Sequence, residues 1–535
     1  MVYAFTLPTT SPLSFQSFIS SPTHPSLPQS ASTTRHALRI ALKAHKRLPR
    51  GPRQDAHLPT VLSALNEYIP YLFAISNGLN GRPIATNAYS ASEAGYTSGS
   101  TNLRTGELID ITIRAEIESA WRCTLSSSSG VNLGSGGNNT SGRGIRTRNG
   151  RVSGRGINFE LAFTLTTLGY VLSRMARAGV VAALYASSTP TAEERTAAVQ
   201  TATRYLLQAS SVHNLLATSP TFTLTTTVPD LDAATQSALA SLALAEATLL
   251  AVLKDDAYVA ACIQSRNPND KEWMVHAPEI PKVRALLFAR LCVRAAEYAE
   301  QAAAGLGAVG STSGRAGRVD EDLVRYTGVL ARVARARACR FFGVDAELSG
   351  KVGEGIAWLR AARTPLGLRG AASSQEDAPG SGGPAKGGFS RLKREWTERR
   401  EDRRATKDAG GSRSDKGPLD AGDDAGRNEE GRVIAMLETK WVKMNDTINT
   451  QLIPASAPLL SNLPSGRDIH SPPAPYQAPS LDEDQLMRMR APPDEINDVQ
   501  FGSDDDSEDE TGQFDGRGTP GGFPDRSATA SSVYY

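Results

Sequence analysis

The sequence predicts an all-α protein, an elongated helical solenoid with a tetratricopeptide-like core that is interrupted and followed by disordered segments. Two observations predict this fold class. Apolar residues recur with helical spacing, in Ala-rich and Leu-rich segments with little β-branched alternation, at 159–186, 193–216, 231–253, 283–303 and 319–342. Helix-breaking residues separate the segments at Pro190, Pro229, Pro268 and Gly305. Long helices joined by short breaks are typical of a solenoid, although no fixed repeat length is present.

Further elements flank this array. Thr34 is the expected N-cap of a helix over 34–44, and a second helix is expected over 58–68. The apolar pattern resumes at 108–121, where the first residues are consistent with a short strand. Residues 433–448 return to a helical pattern and are expected to form the last helix.

Low-complexity segments set the expected domain boundaries. Residues 126–156 are nearly all Ser, Gly, Asn and Arg, and residues 365–430 are rich in Gly, Ser and charged side chains. Such compositions cannot bury enough apolar surface to offset the entropy of ordering the chain. We therefore expect one domain at 1–455 with these two disordered insertions, followed by a disordered tail at 456–535 that is Pro-rich and then acidic.

Composition excludes several classes of protein. The 58 basic and 56 acidic residues give a formal net charge of +2, so no global electrostatic attraction to nucleic acid or membrane is expected. The most apolar stretch, 238–253, is shorter than a bilayer span, and the N-terminus lacks the pattern of a secretory signal. A cytoplasmic location is the expectation. The cysteines form no CxxC pair and are expected to be free thiols: Cys123, Cys262, Cys292 and Cys339.

No catalytic or metal-binding motif is present in the sequence. The seven histidines are dispersed, and none belongs to an HExxH pair that would place two ligands on one helix face. The nucleophile elbow GxSxG, the phosphate loop GxxxxGK[ST] and a GxGxxG that follows a strand are also missing. We therefore expect no enzyme activity, no cofactor and no metal site.

One alternative function depends on an arginine-rich segment at 143–155, which contains no acidic residue. These arginines could contact phosphate groups, which would make the chain a nucleic-acid-associated helical scaffold. No aromatic residue alternates with them, so the stacking platform of a single-strand binder is missing. The leading interpretation therefore includes no nucleic-acid partner, and membrane association is expected only through protein partners.

Three blocks of sequence, in order, resemble the BRO domain family. They are PDL at 229–231 leading into ALASLALAEA at 238–247, GEGIAWLRAA at 353–362, and MNDTI at 444–448 with IP at 453–454. The resemblance is strongest to fungal members that act in ambient alkaline-pH signalling, on the segments FTLPTT at 5–10 and EIESAWR at 116–122.

The resemblance implies a boomerang-shaped helical domain that acts as a non-enzymatic adaptor in pH signalling. Its implied partner is the C-terminal amphipathic helix of the ESCRT-III filament subunit, and other proteins of the pH-signalling pathway are implied beside it. The protein would then be cytoplasmic and recruited to the cell cortex, the plasma membrane or endosomal foci.

The resemblance also implies a partner-binding patch. When RAAEY at 294–298 is aligned with the corresponding family motif, two patch positions fall on Leu287 and Leu291 and a third, aromatic in the family, falls on Ala251. Leu287 and Leu291 are four residues apart and share one helix face. By spacing alone both leucines are equally consistent with ordinary core residues, and that alternative stays open here.

Overall fold

The computed structural model describes residues 2–84, 107–126, 146–148, 151–185, 191–222, 228–264, 282–309, 319–368 and 424–492. All of these residues except Pro492 belong to the compact unit Met1–Ala491, and the second unit is Pro492–Tyr535. The charged stretch 391–408 and the acidic end of the tail lie outside the described residues.

The predicted helical fold class is confirmed. The described helices are α1 Leu27–Arg47, α2 Pro52–Asp55, α3 Leu58–Leu79, α4 Ile157–Leu184, α5 Ala192–Thr218, α6 Ala233–Asp255, α7 Ala257–Gln264, α8 Lys282–Ala308, α9 Glu321–Leu348, α10 Val352–Leu366, α11 Arg427–Met444, α12 Ala457–Ser461 and α13 Glu483–Met489. Thr34 is not a cap, because it lies inside α1 and its hydroxyl donates to the Ser30 carbonyl oxygen at 3.1 Å. Gly305 does not break α8, and its missing side chain instead allows the helix to approach Ala238 of α6.

The central helices form a consecutive array, in which each of α4, α5, α6, α8, α9 and α10 packs against the next. Local sequence explains where two of them begin. Thr191 and Glu194 form a reciprocal capping box at the start of α5, and the Asp232 carboxylate accepts from the backbone amide of Ala234 at 2.9 Å at the start of α6. Of the described helices, only α6 is long and apolar enough to cross a membrane, and 83% of its most apolar window is buried inside the protein.

Two small antiparallel sheets lie beside the array. Strand β1 (Ile19–Ser20) pairs with β2 (Thr112–Ile113), while β5 (Arg151–Arg155) lies between β3 (Glu118–Trp121) and β4 (Arg146–Arg148). Residues 151–156 were expected to be part of a disordered insertion, and that boundary is corrected. Val152 is buried opposite Trp121, and Gly154 lies so close to the Phe159 ring that a Cβ would come within 2.2 Å of it.

The second insertion also ends earlier than expected. Glu430, placed in it by composition, is fully buried in α11 and pairs with two arginines of α9. Arg337 Nε lies 3.0 Å from Glu430 Oε2, and Arg340 bridges Glu430 and Asp256. Composition alone does not predict these buried ion pairs, because only a few residues at the end of the low-complexity segment take part in them.

The expected tail begins within the folded unit as well. Leu481, Leu486 and Met489 are buried, and Arg490 donates two hydrogen bonds to the Glu107 carboxylate at 2.7 and 2.8 Å. Residues 456–491 therefore belong to the same compact unit as the helical array, so the tail does not begin at 456 as expected.

Candidate partner-binding site

An open groove with a volume of about 790 Å³ runs between α5, α6, α8 and an extended segment that follows α12. Most of its surface is apolar. Its lining residues include Val199, Thr203, Leu207, Ala251, Leu287, Phe288, Leu291 and the segment 469–474. The groove therefore contains all three residues that the sequence resemblance assigns to a partner patch.

The three candidates differ in how much surface they offer. Leu287 and Ala251 are half-buried, whereas Leu291 is only 1% exposed and belongs to the core cluster. The spacing leaves open whether the leucines are patch or core residues, and their exposures differ, while the partner patch itself stays a prediction. Leu287 has surface that a partner could cover, while Leu291 supports the floor from below.

The groove has a cationic rim. The described rim carries one carboxylate, that of Asp255, and three basic side chains: Arg204 on α5, Lys254 on α6 and Arg284 on α8. Asp255 lies 3.6 Å from Arg284 and 3.9 Å from Lys254, so it offsets part of this charge. An apolar floor with excess positive charge at its edge suits an amphipathic helix that carries acidic residues beside its apolar face.

Sequence reasoning missed two parts of the groove. The wall from α5 was predicted as a helix but given no role, although its groove-facing positions Val199, Thr203 and Leu207 have the spacing of one helix face. The extended segment 469–474 was placed in the disordered tail. Pro472 and Pro473 favour an extended backbone, which is the only local signal of this wall.

The arginine-rich segment of the alternative function lies elsewhere. Arg146 and Arg148 are in β4, Arg151 and Arg155 are in β5, and Arg143 lies outside the described residues. Arg155 pairs with Glu116 at 3.2 Å, and both side chains are more than half exposed. A pair of this kind contributes little stability and leaves both side chains accessible to solvent.

Burial shifts the pKa of two titratable side chains that do not line the groove. Burial lowers the pKa of His213 to about 4, and its ring Nδ1 lies 2.7 Å from Gln236 Oε1. Burial also raises the pKa of the Cys292 thiol to about 12.

Within the part of the chain that the structure describes, no three His, Cys, Asp or Glu side chains are close enough to hold a metal ion.

Comparisons with known proteins give one close relative and several structural likenesses. The chain is 59% identical over 542 residues to the pH-response regulator protein palC of Emericella nidulans, and the match covers 100% of both proteins. No family model matches the chain.

The structure is similar to that of ALIX in complex with the SIVmac239 PYKEVTEDL late domain, with a TM-score of 0.51 and 14% identity. This likeness covers 92% of the chain and 51% of the ALIX chain, so the chain spans about half the length of that protein. An ALIX BRO1 CHMP4C complex has a TM-score of 0.49 at 13% identity, covering 89% of the chain and 96% of that structure.

Proposed function

Because the chain belongs to the family of the pH-response regulator palC and has the BRO-type helical fold of ALIX, we propose that it is a non-enzymatic adaptor in ambient alkaline-pH signalling. In this proposal its groove binds the C-terminal amphipathic helix of the ESCRT-III filament subunit. The groove between α5, α6 and α8 is the observation that carries the proposal. It offers the apolar floor and polar rim that a helix-in-groove complex requires.

Adaptor action would place the protein where its partners are. We propose that it is cytoplasmic and recruited to the cell cortex, the plasma membrane or endosomal foci by the filament subunit and by other pH-signalling proteins. Bound there, it would help to assemble the machinery that activates the pH response by proteolysis, without itself catalysing a reaction. Its association with the membrane would then be peripheral and indirect.

The test is a charge placed on the groove floor. Leu287→Asp removes apolar contact worth up to about 1.5 kcal/mol when a partner helix covers the rest of the half-buried leucine, and it leaves a carboxylate without a partner in the interface. Together these effects should weaken a micromolar complex by on the order of 100-fold. Fluorescence polarisation with a labelled peptide of the subunit's C-terminal helix measures the change.

Leu286→Asp is the matched control, because Leu286 precedes Leu287 on α8, is 46% exposed and does not line the groove. It should bind the peptide with unchanged affinity. Circular dichroism melting of both variants should match the unaltered chain. Wild-type affinity in Leu287→Asp would sink the proposal, as would equal losses in the two variants.

A nucleic-acid-associated scaffold is the second candidate, and the half-buried Arg151 and exposed Arg155 of β5 are what favour it. Deleting 126–156 would remove β5, so charge reversal at Arg151 and Arg155 is the cleaner test. Each lost phosphate contact should reduce the salt dependence of RNA binding. The adaptor proposal predicts that the double reversal leaves binding of the subunit peptide unchanged.

A further inference from the structure

The extended chain after α12 is held against α8 beside the groove. We call residues 465–474 the strap. Asp468 is its main anchor, since its Oδ1 accepts from Arg294 Nε at 2.8 Å and from the Tyr298 hydroxyl at 2.7 Å. Charge-assisted bonds of this length are stronger than neutral ones, so the anchor fixes the position of the strap along the helix.

Backbone contacts add to this anchor. The backbone amide of Arg467 donates to the Arg290 carbonyl oxygen at 3.1 Å, and that of Gly466 donates to Glu297 Oε1 at 3.3 Å. Gly466 lies so close to the helix that a Cβ would come within 2.6 Å of the Arg294 backbone. The strap therefore crosses α8 in direct backbone contact, one turn after Leu291.

From this crossing the strap continues along the edge of the groove. There His470 lines the groove together with Ala251 and Lys254 of α6. Residues 469–474 then form part of the groove's lining. Further along, Tyr476 packs against the core cluster, so the chain is held to the fold after the strap as well as at Asp468.

The strap leaves the groove open. With the strap in place the groove keeps its volume of about 790 Å³, and Leu287 remains half-buried on the floor. Ile469 lines the groove and is 47% exposed, so its side chain offers apolar surface that the folded chain does not cover. A segment that blocked the site would fill the floor and bury this isoleucine.

We propose that the strap is the second wall of the partner site, beside the wall from α5, and that Ile469 contacts the bound helix. This inference rests on the proposed function of the groove. The partner that fits is an amphipathic helix with acidic flanks, because the rim carries Arg204, Lys254 and Arg284 against one carboxylate. The strap holds the wall in place before binding, which reduces the ordering cost of the complex.

Two strap variants test the wall with the same labelled peptide. Ile469→Asp should weaken binding about tenfold, because covering a half-exposed isoleucine supplies affinity of that order and the carboxylate does not. Asp468→Ala releases the anchor on α8 and should weaken binding about threefold through lost preorganisation. Met487→Asp on α13 is the control, since Met487 is 51% exposed, follows the strap and does not line the groove.

The outcomes separate this inference from the function on which it rests. If Leu287→Asp abolishes binding while Ile469→Asp binds as the unaltered chain does, the groove is the site and the wall is overturned. Tighter binding by either strap variant also overturns it, because the strap would then compete with the partner. No binding by the unaltered chain overturns both proposals. A photo-crosslinker at position 469 that captures the peptide, with none captured from position 487, supports the wall directly.

Discussion

Glu246 shows how one residue of a sequence motif acts in the fold. It lies in the block that resembles the BRO domain family, yet it is buried on α6 and does not line the groove. Its Oε1 accepts from the Tyr3 backbone amide at 2.9 Å and from the Tyr326 hydroxyl at 3.0 Å. The residue therefore connects the N-terminal segment to α9 across α6.

Burial raises the pKa of Glu246 to about 7, from an ordinary value near 4.5, and this makes stability depend on pH. Between these two values the unfolded chain ionises while the folded carboxyl stays protonated. The free energy of unfolding should therefore fall as pH rises from about 4.5 to 7, by about 3 kcal/mol in all, and stay level above that. Below pH 4.5 both states are protonated and the contribution is fully present.

Glu246→Gln should remove this slope, because glutamine mimics the protonated acid and keeps an oxygen that can accept both hydrogen bonds. At pH 8 the variant should be more stable than the unaltered chain by up to about 3 kcal/mol. Urea unfolding at pH 5 and pH 8 measures the difference. Glu118→Gln, at an exposed position, is the control and should change neither value. A variant that is less stable at pH 8 would show that the carboxylate itself is required.

At the scale of elements, two of the sequence blocks meet in space. The Gly353 backbone amide, at the start of α10, donates to Gln451 Oε1 at 3.0 Å, just after the block at 444–448. Gln451 is in turn fixed by Asn445, whose Oδ1 accepts from its backbone amide at 3.0 Å. The separate motifs therefore form one joint between α10 and the end of α11.

Gly353→Ala should break this joint. A Cβ at Gly353 would come within 2.3 Å of the Leu452 carbonyl oxygen, a backbone atom that cannot move as a flexible side chain can. We expect the variant to lose about 2 kcal/mol of stability, within the usual cost of overpacking. Gly328→Ala in α9 is the control, because a Cβ there meets nothing within 4 Å and should stabilise the helix by about 0.5–1 kcal/mol. Equal melting temperatures for the two variants would contradict the expected clash.

The same elements show what sequence can and cannot predict. The helices that make the floor and the α5 wall follow from local apolar periodicity, which needs no tertiary knowledge. Assigning Leu287 to a surface required the family resemblance, because a leucine at helical spacing is equally suited to a core. The strap could not be foreseen, since Asp468 and its partner Arg294 are 174 residues apart and Pro-rich composition predicts disorder.

At the scale of the whole molecule, a buried charge network joins distant parts of the chain. Arg340 of α9 lies between Asp256, which connects α6 to α7, and Glu430 of α11, and all three side chains are fully buried. The attraction to both carboxylates raises the pKa of Arg340 despite its burial, so it stays charged. The network attaches α11, which follows the segment 369–423, to the helices that make the groove floor.

Arg340→Met should detach this part of the fold. The substitution leaves Asp256 without the cation it pairs with, and removing one partner of a buried pair typically costs about 3–5 kcal/mol. Arg335→Met on the same helix is the control. Arg335 pairs with Glu300 at a site where both side chains are 43% exposed, and such a pair is worth less than about 1 kcal/mol. Urea unfolding should therefore separate the two variants clearly.

Proteolysis tests whether the same network holds together the parts of the chain before and after the segment 369–423. A cut introduced between 369 and 423, through an inserted protease site, leaves two fragments joined only by their packing. We expect the fragments of the unaltered chain and of Arg335→Met to elute together in size-exclusion chromatography, because Glu430 keeps α11 in place through Arg337 and Arg340. Those of Arg340→Met should come apart at a lower urea concentration, because Glu430 keeps only Arg337 while the strap and Arg490 still hold the C-terminal fragment. Equal urea dependence of the Arg340→Met and Arg335→Met fragments would mean that the strap contacts and the packing of α11 against α7, α9 and α10 suffice without the network.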